Sequence, residues 1–503
     1  LDKIREEPLR TTYAAAAALV ISLSPAFAQT APPPPIEALR VTRTADNGEG
    51  SLRWAIERNN TAPGRYRIEI DPEGTAPFVI KPASLLPPIK GPVRIEGIPW
   101  RRTGELVALD GSSFIEDKGQ RTCAGATDGQ FGANVRTLTN PGLAIVDTRG
   151  VEIRGLEVRN FCIGVLIHRA SGNTVEDSRI VGSRGGAGIM LTGDDGNGGS
   201  TATTTIHNRI QRNEFIDNGD GLELTRGAAF NLIARNIFRS AGANPEPSQA
   251  IEILFGHDNV LVNNRFEGYS DGIQVNGGNR NYIGSNVFTD NALALSMTGE
   301  GNVVDSNTIV GNAVGVALRP AARMGLTRIT RNVIHANGKD VLRCWSGGSC
   351  DPQLRRGGII FGIPAQEHAT YVGERGGGVP VDPVKLTRIC PDREPECQGP
   401  PNHGIAAPVI EKVVRDGTKL TATGRVQMSV PLGTTIELFG NRNTGDTEGE
   451  IFLGETRVAA SGQSTFTITV DAPTGSVPTG FTATVTTTDG ATSEFSRPVG
   501  MSD

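Results

Sequence analysis

The 503-residue sequence predicts an all-β protein, a right-handed parallel β-helix solenoid followed by a small antiparallel β-sandwich. Three observations carry this expectation: an apolar and asparagine register that recurs about once per coil, a second alternating register between its copies, and a change to Thr/Val-rich alternation after Ala407. The composition agrees. Gly 64 against Phe 17, Tyr 5 and Trp 3 describes a turn-rich chain poor in large aromatics, which suits many short strands and leaves almost no helix.

The first register reads apolar, two residues, Asn, one residue, apolar. It appears as Ile210-Gln-Arg-Asn213-Glu-Phe215 and Ile233-Ala-Arg-Asn236-Ile-Phe238, and then with Asn264, Asn286, Asn307 and Asn332 at the same place. Successive Asn positions differ by 23, 28, 22, 21 and 25 residues, and self-similarity at a near-constant period marks a solenoid. Weaker copies begin at Ile153 and Val175. Identical amides stacked at one turn can hydrogen-bond up the solenoid, so these Asn residues are expected to form a structural ladder with no catalytic part.

The second register has the form small, apolar, any, apolar. Examples are Gly188-Ile-Met-Leu191, Gly221-Leu-Glu-Leu224, Ala250-Ile-Glu-Ile253 and Gly272-Ile-Gln-Val275. Alternation sends the two apolar side chains inward and the middle one outward, so each coil contributes at least two short strands that pair in parallel with the next coil.

The start of the chain carries Lys3, Arg5 and Arg10, an apolar stretch from Ala14 to Leu23, and Ala26-Phe27-Ala28, the small-x-small form cut by signal peptidase. A signal peptide over 1–28 and a Pro-rich linker over 29–36 are therefore expected, with a secreted or periplasmic product. No later stretch approaches the ~20 apolar residues of a membrane span. Export suits the cysteines: Cys344 with Cys350 and Cys390 with Cys397 each bracket a short loop, leaving Cys123 and Cys162 as the remaining pair. No His stands at zinc-ligand spacing from the two short-loop pairs. A net charge of −5 gives no basic field for a phosphate backbone, so nucleic acid is not an expected partner.

The Asn-x-Phe and Gly-Ile-x-Leu pattern resembles the parallel β-helix repeats of pectate-lyase-like secreted proteins. The segment Asp46-Asn-Gly-Glu-Gly-Ser51-Leu-Arg-Trp-Ala-Ile56 is similar to the "CSLREA" segment that opens many such bacterial surface proteins, with Gly50 where the cysteine would stand. Its expected role is a cap, with an amphipathic turn of helix around Leu52, Ala55 and Ile56 closing the first coil. Ile436-Glu-Leu-Phe439, Ile451-Phe-Leu-Gly454 and the stretch from Phe481 to Ser496 resemble the immunoglobulin-like module that often follows these helices. The expected order is a β-helix over 37–360, a loop-rich connector over 361–405 and a sandwich over 406–503. Such families contain both enzymes and binding proteins, so the resemblance implies architecture and not activity.

Chemistry is expected on the outward wall of the second register. Its middle positions read Leu166, Met190, Glu223, Glu252, Gln274, Ser296 and Ala317, and the next outward positions read His168, Thr192, Thr225, Leu254, Asn276, Thr298 and Arg319. Asp220 and Asp271 precede their strands, and two loop insertions, Gly193 to Thr205 and Ser240 to Ser248, flank the same coils, as the walls of a groove would. Glu223 and Glu252, one coil apart, would lie roughly 5 Å from each other, the separation of nucleophile and acid in a retaining glycosidase; Asp220 and Asp271 would lie roughly 9 to 10 Å apart, near an inverting pair. Stacked carboxylates repel unless a proton or cation intervenes, so the strip reads as an acid/base site, a Ca²⁺ site or a solvated face.

These four are the candidate catalytic residues. Gln274, Asn276, Thr225, Arg226, His257, His168 and Arg319 are the candidate substrate-binding residues. The expected function is an exported glycoside hydrolase acting on a polysaccharide, with a non-catalytic glycan-binding surface protein as the alternative. No cofactor is expected apart from Ca²⁺ on the acidic strip. A polysaccharide lyase needs a basic residue beside a uronate, and between Val151 and Gly338 there is no Lys, leaving Arg226 and Arg319 for that part.

Overall fold

The computed structural model describes residues 36–115, 123, 138–183, 186–193, 202–241, 249–319, 325–338 and 401–502 apart from 428 and 476, together with four strands over 342–344, 357–361, 369–372 and 378–381. The signal segment and most of both loop insertions lie outside them. Three long parallel sheets of 11, 10 and 9 strands run the length of the solenoid. The first extends from Glu37–Val41 to Thr327–Thr330, the second from Val79–Ile80 to Val333–His335, and the third from Pro141–Val146 to Gly357–Phe361.

The two registers map onto these sheets. The first apolar residue of each Asn repeat lies in the first sheet, where Ile210, Ile233, Leu261, Ile283, Val304 and Ile329 are successive pairing partners in the core. The last lies in the second sheet, where Phe215, Phe238, Phe266 and Phe288 stack with ring centroids 4.4, 5.1 and 4.7 Å apart. Between them the chain turns through a residue at positive φ, such as Arg212, Arg235, Ser285 and Arg331 at 52 to 57°. That conformation costs an L-residue roughly 1–2 kcal/mol, and the adjoining Asn offsets it. Its side-chain oxygen accepts the backbone N–H of the Asn one coil earlier, as from Asn236 to Asn264 and from Asn264 to Asn286 at 2.9 Å.

The expected ladder is therefore present, and two more accompany it. Asn208, Asn231, Asn259, Asn281 and Asn302 form one at the turn entering the first sheet; Asn291, Asn312 and Asn337 form another at the turn leaving the second.

At one end a ten-residue helix, Leu52–Thr61, packs on the strands Glu37–Val41 and Tyr66–Ile70. Ser51 caps it by accepting the Trp54 N–H, and Leu52, Ala55 and Ile56 enter the solenoid core. At the other end the sandwich and the turn just before it supply side chains in place of a further coil. Asn402 accepts the Thr327 N–H at 2.8 Å, Thr492 that of Ile329 at 2.8 Å, Glu437 that of Arg331 at 3.1 Å, and Glu448 that of Asn337 at 3.0 Å. Two of the Asn ladders thus end on Asn402 and Glu448, and the last strand edge is satisfied instead of left open.

The sandwich pairs a three-stranded antiparallel sheet, Val409–Asp416, Lys419–Arg425 and Thr465–Asp471, with a four-stranded one, Thr435–Asn441, Ile451–Arg457, Gly480–Thr486 and Val499–Gly500. Val413, Leu420, Ile436, Leu438 and Phe481 fill the space between them. Cys123 and Cys162 form a disulfide, the pair left by elimination. The two short-loop pairs fall outside the described side chains. No helix among the described residues is long and apolar enough to cross a membrane.

Candidate active site

The third sheet carries the outward wall in the expected register, with Leu166, Met190, Glu223, Glu252, Gln274, Ser296 and Ala317 on successive strands. A local bend brings Asp220 to the same face. A Cβ on Gly221 would lie 2.7 Å from the Phe238 ring, so this position faces the core, and Leu222 beside it is also fully buried in the core. Two consecutive inward positions leave the residues on either side, Asp220 and Glu223, on the outer face. Carboxyl oxygens of Asp220, Glu223 and Glu252 all lie within 4.8 Å of one another. Asp271, in the same place on the next coil but one, lies outside that trio; its Oδ1 accepts from the Ser270 hydroxyl at 3.1 Å.

The wall is not the open groove its sequence suggests. Glu223 is 0% exposed and Gln274 3%, Asp271, Thr225 and Ser296 are buried, and Asp220 and Glu252 are only partly accessible. The solvated-face reading is thereby corrected. The reason is visible at the first coils, where Leu166 and Met190 make an outward apolar row that water would not tolerate; Ile163 and Ala187 join them, and Leu138 and Ala144 pack against the cluster. The polar part of the row continues from that covered stretch.

Arg319 is 7% exposed and reaches two coils back, where its Nη2 donates to Asn276 Oδ1 and to the Val275 carbonyl at 3.2 Å. Asn276 in turn donates from Nδ2 to Glu252 Oε1 at 3.0 Å. A guanidinium is thus linked through one amide to the carboxylate cluster. Three buried polar atoms, Gln274 Oε1, Thr225 Oγ1 and Ser296 Oγ, have no hydrogen-bond partner among the described residues. Unsatisfied buried groups cost stability, and a row of them on one wall is what a site for a polar ligand looks like. Three carboxylates this close also require a shared proton or neighbouring cationic charge, which is the setting of acid/base chemistry.

The remaining candidates are placed differently. Arg226 lies with its guanidinium 5.1 Å from the centre of the exposed Phe255 ring. His168 is in the Thr225 row but two strands away, beside Thr192. His257 stands beyond the strand end, in a bridge row with Ala229 and Asn279. Its Nδ1 meets Asp258 at 2.8 Å, and Arg280, hydrogen-bonded to Asp258, holds that carboxyl below the usual range. Its other ring nitrogen, Nε2, meets the Thr203 hydroxyl at 3.3 Å, and the carboxylate trio does not include it. Ser296 was placed on the wall but not among the candidates, and Gln249 was missed: it is buried between Asp220 and Asp271, and its backbone N–H donates to Asp220 Oδ1 at 2.9 Å. Its sequence signal was its place one residue before the Ala250-Ile-Glu-Ile253 register, matching Asp220 and Asp271.

The family described as the right-handed β-helix region matches residues 163–323 and 205–355. A 3-dehydroshikimate dehydratase from Acinetobacter baylyi is 49% identical over 470 residues, covering 92% of this chain and 95% of the relative. Among solved structures, the periplasmic alginate epimerase AlgG aligns at 13% identity and a TM-score of 0.32, over 53% of this chain and 58% of that one. The DFA-IIIase from Arthrobacter chlorophenolicus A6 aligns at 15% identity and a TM-score of 0.30, over 59% of each chain. The chain thus spans less than two thirds of these solved proteins, but nearly the whole of the dehydratase.

Proposed function

Because the chain belongs to the family of the Acinetobacter baylyi 3-dehydroshikimate dehydratase, we propose that it removes water from 3-dehydroshikimate or a cyclic hydroxy-ketone acid of the same shape. The observation that carries this reading is the 49% identity over almost the full length of both chains. The buried polar wall supports it, since a small ring bearing hydroxyls, a ketone and a carboxylate suits an enclosed site better than a sugar chain does.

The chemistry is the elimination of a hydroxyl β to a ketone. A base takes the proton from the carbon between the ketone and the hydroxyl-bearing carbon, and the electron pair passes through an enolate as the C–O bond breaks. An acid protonates the departing hydroxide, giving water. Loss of a further ring proton, which the ketone oxygen regains, leaves an aromatic dihydroxy acid. Glu223 and Glu252 are the base and acid in this reading, adjacent and on the same face. Asn276 fixes Glu252, and Arg319 provides the positive charge that an enolate or the substrate carboxylate requires. Ser296 offers its unpaired hydroxyl oxygen to a ring hydroxyl.

One observation favours the glycoside hydrolase as a second reading: Glu223 and Glu252 are pairing partners on adjacent strands, the spacing of a nucleophile and acid. The two separate in one experiment. Purified protein is offered 3-dehydroshikimate and, in parallel, a polysaccharide panel. An aromatic product lighter by one water supports the dehydratase, and new reducing ends without it support the hydrolase. In either case an exported enzyme is the companion proposal, resting on the first 28 residues.

A further inference from the structure

We infer that Asp220, Glu223 and Glu252, with the amide oxygen of Gln274, bind a divalent cation of the size and oxygen preference of Ca²⁺. The carboxyl oxygens of the three acids lie within 4.8 Å of one another. Oxygens bound to one Ca²⁺ at roughly 2.3–2.6 Å stand up to about 5 Å apart, whereas Mg²⁺ at about 2.0–2.1 Å draws its ligands closer. The donor set holds no sulfur or imidazole, which selects a hard cation.

An acidic cluster alone would not carry this. The second observation is Gln274, the next residue along the same outward row and the pairing partner of Glu252. It is 3% exposed, and its Oε1 is buried with no hydrogen-bond partner among the described residues. An amide oxygen left unsatisfied beside stacked carboxylates fits a cation ligand, since such an oxygen supplies a neutral donor where further negative charge would repel. Thr225, buried with its Oγ1 also unpaired, is two residues beyond Glu223 and offers a further oxygen. The backbone fixes the arrangement: the Gly221 bend delivers Asp220, and parallel pairing delivers Glu223, Glu252 and Gln274 in one row.

Polarisation of the ring ketone by such a cation would rest on the dehydratase reading; its binding does not. The test therefore measures binding without substrate. The full chain is stripped with a chelator, then titrated by calorimetry with Ca²⁺, Mn²⁺ and Mg²⁺ separately, and its melting is followed with and without each. The expected result is one site per chain that prefers Ca²⁺ over Mg²⁺ and raises the melting temperature. Glu223→Gln and Glu252→Gln should each weaken binding by at least ~10-fold, and Gln274→Leu should weaken it less, because it removes no charge. Circular dichroism verifies that each variant is folded. Absence of saturable binding to the wild type would overturn the inference whatever the variants do, as would unchanged affinity in folded Glu223→Gln and Glu252→Gln. Failure to turn over 3-dehydroshikimate would leave the calorimetric result standing.

Discussion

Replacing Glu437 with Gln should make the protein more stable at pH 8 and leave it nearly unchanged at pH 5. Glu437 lies on the sandwich strand Thr435–Asn441, is 1% exposed, and has both carboxyl oxygens 3.1 Å from the Arg331 N–H of the last coil. Burial raises its carboxyl from 4.5 to about 7, opposed by the Arg331 N–H and assisted by Glu455; the Arg331 side chain is itself engaged with Asp305. A carboxyl raised on folding contributes stability that is complete below its unfolded value near 4.5 and is lost as the pH climbs to about 7. At ~1.4 kcal/mol per pH unit, that interval amounts to about 3 kcal/mol. Gln keeps the shape and an oxygen for the Arg331 N–H but cannot ionise. The assay is denaturant unfolding of both proteins at pH 5, 6, 7 and 8, because their difference cancels every other titrating group. A gap that opens between pH 5 and 7 in favour of Glu437→Gln is expected. Parallel curves would show that Glu437 is not held in a dry interface between the sandwich and the solenoid.

Other outcomes follow from the same contacts. Asn264→Ala removes the acceptor of the Asn236 N–H and the donor to the Ile233 carbonyl, and should lower stability by about 1–3 kcal/mol in thermal or denaturant melts. Peptide mapping without reduction should recover Cys123 joined to Cys162, and Cys162→Ser should cost about 2–4 kcal/mol through the freed 39-residue loop. The same map tests Cys344 with Cys350 and Cys390 with Cys397, where free thiols would remove the expected pairs. Arg319→Ala should lower kcat/KM about 10–100-fold by taking away the charge and the anchor of Asn276, seen in steady-state rates of a folded variant.

Much of the solenoid was legible because its side chains repeat what the backbone repeats. Ile233, Phe238 and Asn236 each occupy a place that every coil needs filled, so periodicity exposes them. Two of the three Asn ladders were overlooked although their signal was present: Asn281, Asn286 and Asn291, then Asn302, Asn307 and Asn312, stand five residues apart, one at each turn. The wall was legible in register and illegible in burial. Alternation tells which side of a strand Glu223 leaves from, but whether that side meets water depends on segments that follow no period. The Asp220 position needed the Gly221 bend, an inward place beside Phe238 that leaves no room for a Cβ and that alternation alone does not reveal. The end cap by Glu437 and Glu448 was equally hidden, since their partners Arg331 and Asn337 lie more than 100 residues away.

The most direct test is the rate of aromatic product formation from 3-dehydroshikimate by the wild type, Glu223→Gln and Glu252→Gln, with folding of each verified. The wild type should turn the substrate over, and each variant should fall by at least ~100-fold, since a general acid or base contributes that much. A wild type that leaves the substrate intact, or variants that keep its full rate, would contradict the assignment of this buried wall as the dehydratase site.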